Sequence, residues 1–352
     1  MNAKTRVAVV GYGVIGKRVV EALAVQPDMV LSGVADVAAD WRTLSAAGRG
    51  IPIHAAAESA SAAMRAAGLA VSGSLDDLIR TSDIVVDCTP KRIGARNADL
   101  YRAAGTPFIL HGGEKHEVTG HSFVAESNYA SAVGLHATRV VSCNTTSIVR
   151  TLGALKRAGL LRRARGTLLR RATDPWESHL GGIMNTVLPE PSIPSHQGPD
   201  ARTVDPELDV VTMAVAVPTT IAHVHCWAVD LTRAASKEEV LQAFASSSRI
   251  ALIDGSTGLA APNVVKEFMA DSGRPHESLY EVGLWADMLR VEGSELFYAY
   301  MVDNQAIVIP ETIDAIRALS RHGPNGAESI ALTDAALGMG QPFASLGAHP
   351  RP

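Results

Sequence analysis

Cysteine is scarce. The 352-residue chain has three, Cys88, Cys143 and Cys226, and an odd, sparse set is no disulfide framework; it fits a reducing cytoplasm. Aromatic residues are scarce too, at 5%, which leaves a core of Ala, Val, Leu and Ile. No run of about 18 apolar residues occurs, and MNAKTRVAVVGYG passes into a strand with no apolar segment and cleavage site. Neither a membrane span nor a signal peptide is expected. Net charge is only −4, so the chain as a whole does not read as a binder of nucleic acid or of a membrane surface. Metal-ligand spacing is also missing. HGGEKHEVTGH holds His111, His116, Glu117 and His121, but it matches neither H-E-x-x-H nor a zinc finger. No metal site is expected, and a glycine loop carrying Lys115 towards an anion is the better reading. What the chain does have is apolar matter, 47% against 19% charged, enough for two domains.

The first half alternates strands and helices and predicts a Rossmann-type, doubly wound sheet over residues 1–140. RVAVVGYGVIGKRVVEAL is strand, glycine turn, helix. Gly11 serves the tight turn, Gly13 lets the backbone approach a pyrophosphate, and Gly16 lets helix pack on strand. Tyr12, Val14 and Ile15 complete this candidate cofactor turn, with the pyrophosphate on the helix N-terminus. MVLSGVAD ends at Asp36, about 20 residues past the glycines, where a carboxylate can hold ribose hydroxyls and repel a 2′-phosphate. NAD is therefore expected over NADP. SDIVVDCTP predicts a strand ending at Thr89 and Pro90, with Cys88 in the core, and FILHGG ends another at Gly113. Both ends should line the cofactor crevice.

Residues 141–309 predict an α+β catalytic domain with a mostly antiparallel sheet. In VVSCNTTSIVRTL, β-branched residues precede Cys143, and the small polar residues Asn144, Thr145 and Thr146 follow it. A strand there hands over to a helix, which would favour the thiolate, although a lone Cys is often a small buried hydrophobe. Lys156, Arg157, Arg162, Arg163 and Arg165 read as a solvated helix end and loop. Arg170 and Arg171 end the alternation of GTLLRR, where at least one could project into a site suited to a phosphate ester. PSIPSHQGPD is a loop carrying His196. His223 and His225 are two apart and share a strand face, so either could be a general base or a satisfied core histidine, and Cys226 faces the other way. LFYAYMVDNQAIVIPETIDAIRAL reads as two strands, a loop through Asp303 and Asn304, and a helix opened at Pro310. That helix, about 310–340, is expected to complete the first domain, and 341–352 to be a frayed tail.

In order along the chain, GYGVIGKRV, GRGIPI, SDIVVDCTP, GGEKHE, VVSCNTTSIVRTL, LLRRATDP, IPSHQGPD, MAVAVPTTIAHVH and IVIPETIDAIRA together resemble the archaeal-type (type II) glyceraldehyde-3-phosphate dehydrogenases. The resemblance spans residues 5 to 340. It implies a homotetrameric, cytoplasmic, phosphorylating aldehyde dehydrogenase using NAD or NADP, with inorganic phosphate and a phosphorylated aldehyde as substrates. Cys143 matches the catalytic Cys and His223 the catalytic His, with Asn144 beside them as a source of oxyanion donors. Arg170, Arg171 and His196 fall in the phosphate-holding motifs, with Lys115, Ser142 and Thr145 joining that set. The pattern departs at four places. Asp36 stands where NADP-using relatives carry Lys, Gln197 replaces a His beside His196, Lys91 replaces an Asn, and Asn304 replaces a Gln near the nicotinamide. The exact aldehyde therefore stays open. A dehydrogenase of the same mechanism acting on another phosphoaldehyde or semialdehyde is one rival. A nucleotide-sensing protein without turnover is another.

Overall fold

The structure, a computed structural model, describes residues 3–111, 113–173, 187–320, 323, 325–344 and 346. In chain order the first stretch contains β1 (Thr5–Val10), α1 (Val14–Ala24), β2 (Met29–Asp36), α2 (Trp41–Gly48), β3 (Ile53–Ala55), α3 (Glu58–Ala66), β4 (Val71–Ser74) and α4 (Leu75–Arg80). It continues through β5 (Ile84–Asp87), α5 (Ile93–Ala104), β6 (Phe108–Leu110), α6 (His116–Thr119), β7 (Ser122–Phe123), α7 (Ala125–Ala132) and β8 (Ala137–Val140). A second stretch follows with α8 (Cys143–Arg157), β9 (Leu161–Arg171), β10 (Leu188–Pro189), α9 (Gln197–Arg202), β11 (Val210–Val217) and β12 (His223–Leu231). After these come α10 (Lys237–Ala245), β13 (Ile250–Ile253), α11 (Pro262–Asp271), β14 (Val282–Trp285), β15 (Arg290–Glu292) and β16 (Glu295–Val302). Two further helices, α12 (Val308–Leu319) and α13 (Gly326–Leu337), come last. The chain divides into two compact units, Met1–Ser142 with Ile309–Leu337, and Cys143–Val308 with Gly338–Pro352.

The first unit is an eight-stranded sheet in the order β4-β3-β2-β1-β5-β6-β8-β7, parallel throughout. Val7, Ala8, Val9 and Val10 are fully buried, as a central parallel strand covered on both faces requires. Strand order reverses between β1 and β5, the switch point at which such sheets bind ligands. Gly11 has φ +88°, and a Cβ on Gly16 would lie 2.0 Å from the Gly11 carbonyl oxygen. The turn and the packing of α1 therefore both demand glycine. From the end of the chain, α12 returns Arg317 to this unit. Its guanidinium grips Asp28 (2.8 and 2.9 Å) and Gln26 (2.6 Å), while Glu311 accepts the Ala125 N–H at 2.6 Å.

The second unit is a mixed sheet, β10-β11-β9-β12-β16-β14-β13, with β15 on β16. Five pairings are antiparallel and two are parallel, so it is mostly antiparallel. The alternation of β9 buries Ala164, Gly166 and Leu168. Trp227 lies across Gly166, and a Cβ there would come within 2.6 Å of the indole.

Four local expectations change. Arg162, Arg163 and Arg165 lie on β9, where their solvent-facing side chains concealed a strand whose alternate residues are buried. The AIVI run is no strand, because Asp303 caps a turn with its Oδ1 on the Gln305 and Ala306 N–H groups (3.0 and 3.2 Å), and α12 already starts at Val308. The strand ending at Thr89 stops at Asp87. The tail is anchored at its start. Gln341 bonds to Leu252 N and Ile250 O, and Phe343 is buried against Phe268. Residues 345 and 347–352 lie outside the described residues.

Candidate functional site

The glycine turn of the first unit has the form of a nucleotide cradle. A Cβ on Gly13 would meet nothing within 4 Å, so the space beside that backbone is open, and α1 has no side chain capping its N-terminal N–H groups. Unsatisfied helix N–H groups beside open space suit a pyrophosphate, and the residues present fit a dinucleotide. Asp36 closes the turn. Its Oδ2 accepts the Tyr12 N–H (2.7 Å), and Oδ1 accepts those of Val37 and Ala38 (2.7 and 2.8 Å). Arg42 is held by Asp40, which takes its Nε and Nη2 at 2.9 and 2.6 Å and caps α2, while the charge of Asp36 also reaches it. Lys17 sits 4.6 Å over the Trp41 ring, and Arg49 binds the Tyr12 hydroxyl and Glu21. At the end of β5, buried Asp87 receives the Thr89 N–H (2.9 Å) on Oδ1, and Asn97 and Tyr101 (2.9 and 2.7 Å) on Oδ2. This carboxylate fixes the Thr89–Pro90 bend.

The histidines of the HGGEKHEVTGH stretch are satisfied locally. His111 meets Thr312 (3.1 Å), His116 meets Ser122 (2.9 Å), and His121 meets Thr138 and Ser131 (2.7 and 2.9 Å). Lys115 is exposed at the N-cap of α6. Beside Gly113, a Cβ would meet the Lys91 side chain at 3.2 Å.

In the second unit Cys143 opens α8. Its Sγ lies 3.3 Å from His223 Nε2, and His223 Nδ1 accepts the Arg171 backbone N–H at 3.0 Å. An amide N–H can only donate, so the neutral ring carries its proton on Nε2, facing the sulfur. Burial, then the charges of His225, Arg171 and Arg170, hold His223 well below the usual imidazole range. The ring is neutral near pH 7. Burial also pushes the Cys143 thiol up to about 11, against the pull of Arg171, the Asn144 N–H and Arg170. In the free protein the pair is thus thiol and imidazole.

His225 serves a different purpose. It is fully buried, its Nε2 meets Asn144 Oδ1 and its Nδ1 meets the Tyr300 hydroxyl, both at 2.8 Å. Burial, then Arg170, lowers it to about 3. Tyr300 also touches Ser147 on α8 (3.2 Å). His225 therefore orients the side chain of Asn144, the residue after the thiol. Thr145 is engaged by Asp200 (2.9 Å). Asn304, oriented with its amide oxygen on Arg171 Nε (2.6 Å) and its nitrogen on Ile221 O (2.9 Å), holds Arg171 in place. Asp303 beside it is fixed by buried Lys266 at 2.6 Å. On the other side Glu190 takes Arg170 Nη1 at 2.8 Å and His196 Nδ1 at 2.9 Å.

The fold thus gathers Cys143, Asn144, His223, Arg170 and Arg171 around one thiol, with His196 joined to Arg170 through Glu190. Sequence reasoning missed Asp87, Glu190, Lys266 and Tyr300. Only Asp87 left a local signal, as the acidic end of a buried run.

A parallel nucleotide-binding sheet joined to a separate unit bearing a half-buried cysteine against a buried histidine and two arginines defines a class: dehydrogenases that act through a cysteine. Residues 142–272 match the family model for the glyceraldehyde 3-phosphate dehydrogenase C-terminal domain, and residues 5–113 that for the dihydrodipicolinate reductase N-terminus. The chain is 42% identical to glyceraldehyde-3-phosphate dehydrogenase of Metallosphaera sedula, covering 96% of this chain and 99% of the relative. It is 39% identical to that of Methanobrevibacter smithii (95% and 99%) and 43% to that of Haloarcula marismortui (95% and 94%). The chain belongs to the glyceraldehyde-3-phosphate dehydrogenase family.

Proposed function

We propose that the chain is a phosphorylating glyceraldehyde-3-phosphate dehydrogenase, converting aldehyde, phosphate and NAD(P) to acyl phosphate and NAD(P)H. One observation carries the reading: Cys143 Sγ lies 3.3 Å from His223 Nε2, with the charges of Arg170 and Arg171 acting on that thiol. Cys143 gives up its proton to solvent and its sulfur bonds to the aldehyde carbon as the C=O π pair moves onto oxygen, giving the thiohemiacetal as its alkoxide. His223 Nε2–H donates to the sulfur anion and then to the oxygen anion of the adduct, and the Asn144 N–H assists. Taking the thiol proton on Nε2 would need the other tautomer, whose Nδ1–H would face the Arg171 N–H. The role of this histidine is therefore donor rather than base. Oxidation removes a hydride from the adduct carbon and leaves a thioester. A dinucleotide held through its pyrophosphate at Gly11, Gly13 and Gly16 and through its ribose at Asp36 would supply the hydride acceptor. An oxygen of inorganic phosphate, oriented by the arginines, then bonds to the thioester carbon. The C–S bond breaks, the thiolate returns, and an acyl phosphate leaves.

NAD is the preferred cofactor in this reading. Asp36 stands at the ribose position, and Arg42, a cation that could meet a 2′-phosphate, is paired with Asp40. Arg170, Arg171 and His196 form the phosphate set. A homotetramer is the matching proposal for assembly, and the second sheet leaves Met213, Cys226 and Phe297 exposed beside Arg163 and Arg165 as one surface for self-association. No described helix is long and apolar enough to cross a membrane, and a cytoplasmic place is the matching proposal.

The test is an activity panel: glyceraldehyde-3-phosphate against erythrose-4-phosphate and unphosphorylated aldehydes, each with NAD or NADP, with and without phosphate. The reading requires phosphate-dependent cofactor reduction, fastest with glyceraldehyde-3-phosphate. No turnover with any aldehyde would leave a nucleotide-binding protein.

A further inference from the structure

Arg170 and His196 are already occupied by an anion of the chain's own. Glu190 Oε2 accepts from Arg170 Nη1 (2.8 Å), while Oε1 meets His196 Nδ1 (2.9 Å) and accepts the His196 N–H (3.2 Å). The backbone beneath it is pinned, because the Glu190 N–H donates to Ala214 O at 2.8 Å at the sheet edge. Only the side chain has to turn for the carboxylate to leave. Donor capacity remains unused around the seat. Among the described residues, the buried Nε of Arg170 has no partner. We propose that Glu190 is a displaceable counter-ion occupying the seat of a phosphate group between Arg170 and His196, so that phosphate binds only by expelling it. This rests on the phosphate-set reading above.

The chemistry supports exchange. A carboxylate and a phosphate each offer two oxygens to the same paired donors, but the phosphate has a third and more charge. The Arg170–Glu190 pair is partly exposed, at 32% and 19%, and such pairs hold only weakly. A seat closed by its own carboxylate lowers apparent phosphate affinity by the fraction of open molecules. The open seat should be the minority by roughly three- to tenfold. An empty Arg170 would also have no anion beside it in the free protein; Glu190 supplies one.

The experiment compares wild type, Glu190→Gln and Glu190→Asp. Glu190→Gln keeps the shape and loses the charge, and its KM for the phosphate species should fall about three- to tenfold. Whether the fall is in the KM for inorganic phosphate or for the phosphorylated aldehyde identifies the occupant, and an unphosphorylated aldehyde's KM should not move. Glu190→Asp, too short to bridge both donors from a pinned backbone, should lie between. An unchanged or raised KM in Glu190→Gln overturns the proposal and makes Glu190 a support for the Arg170 and His196 side chains. A second arm follows the thermal shift on adding inorganic phosphate, without turnover. If wild type oxidises aldehyde with no dependence on phosphate, the functional reading fails. A larger phosphate shift in Glu190→Gln than in wild type would then still uphold the counter-ion, and an equal shift would refute it.

Discussion

Replacing Asp36 by Asn changes one charge at the adenosine end of the cofactor and little else in volume. Its carboxylate accepts three backbone N–H groups, so the variant also loosens the turn. That loss affects NAD and NADP alike and cancels in the ratio of their kcat/KM values. What survives in the ratio is the repulsion between Asp36 and a 2′-phosphate. A like-charge pair at about 4 Å is worth roughly 1 kcal/mol in water and about 4 at an effective dielectric of about 20. Asp36 is partly exposed, which places the term at about 1–3 kcal/mol, or roughly 5- to 150-fold. Arg42 would offset it, but Asp40 holds that guanidinium through Oδ1 on Nε and Oδ2 on Nη2. Wild type should therefore favour NAD by at least about tenfold, and Asp36→Asn should lower that preference by about fivefold or more. Asp36→Lys should narrow or reverse it. Initial rates against each cofactor at saturating aldehyde and phosphate give both ratios. A wild-type preference for NADP, or a ratio unmoved by Asp36→Asn, would refute the reasoning and point to Arg42, Lys17 or Arg49 as the reader of the ribose.

Cys143→Ser should bind NAD and lose nearly all aldehyde oxidation; full activity would remove the covalent scheme. Because burial holds the thiol near 11, alkylation of Cys143 in the free protein should accelerate with pH through about 7 to 10, and a rate flat in that range would show an existing thiolate. His223→Ala should cost about 10²- to 10³-fold in kcat, as removal of an oxyanion donor does, and His223→Asn should recover part of it. Equal loss in both would restore the histidine to the role of base. Arg171→Ala should raise KM far more for a phosphorylated aldehyde than for its unphosphorylated analogue, and equal effects would take Arg171 out of that role. Burial pushes Asp28 up, but the Arg317 bonds and charge outweigh it and leave the carboxyl below its usual range. Its stabilising contribution is present above about pH 4 and lost as pH falls. Arg317→Met should therefore weaken the protein at pH 7 and flatten the acid limb of urea unfolding, and an unchanged acid limb would count against the pair.

Features with short sequence range were legible. Gly11, Gly13 and Gly16 announced the turn, Asp36 closed it at the expected spacing, and the change from β-branched to small polar residues placed Cys143 at a strand-to-helix junction. Period-two spacing put His223 and His225 on one face, yet it could not divide their work. That division comes from Arg171, 52 residues before His223, and Tyr300, 75 residues after His225. Glu190 was invisible for the same reason, since only the edge pairing with β11 brings it to Arg170. The charged residues of β9 hid a strand because the buried set, Ala164, Gly166 and Leu168, is small or thinly spaced. Asn304 was expected at the nicotinamide, and the fold engages both its amide atoms with Arg171 and Ile221.

The return of α12 and α13 to the first unit has a consequence for how the chain is made. A ribosome delivers the eight parallel strands of that unit first and its last two helices only after the entire second sheet. Until then Asp28 and Gln26 wait without the guanidinium that will grip them, and the Ala125 N–H waits for Glu311. The nascent nucleotide-binding unit must therefore remain on hold, partly assembled, through the synthesis of nearly half the polypeptide. It is in this interval, rather than in the finished molecule, that its uncovered apolar surface is open to chaperones.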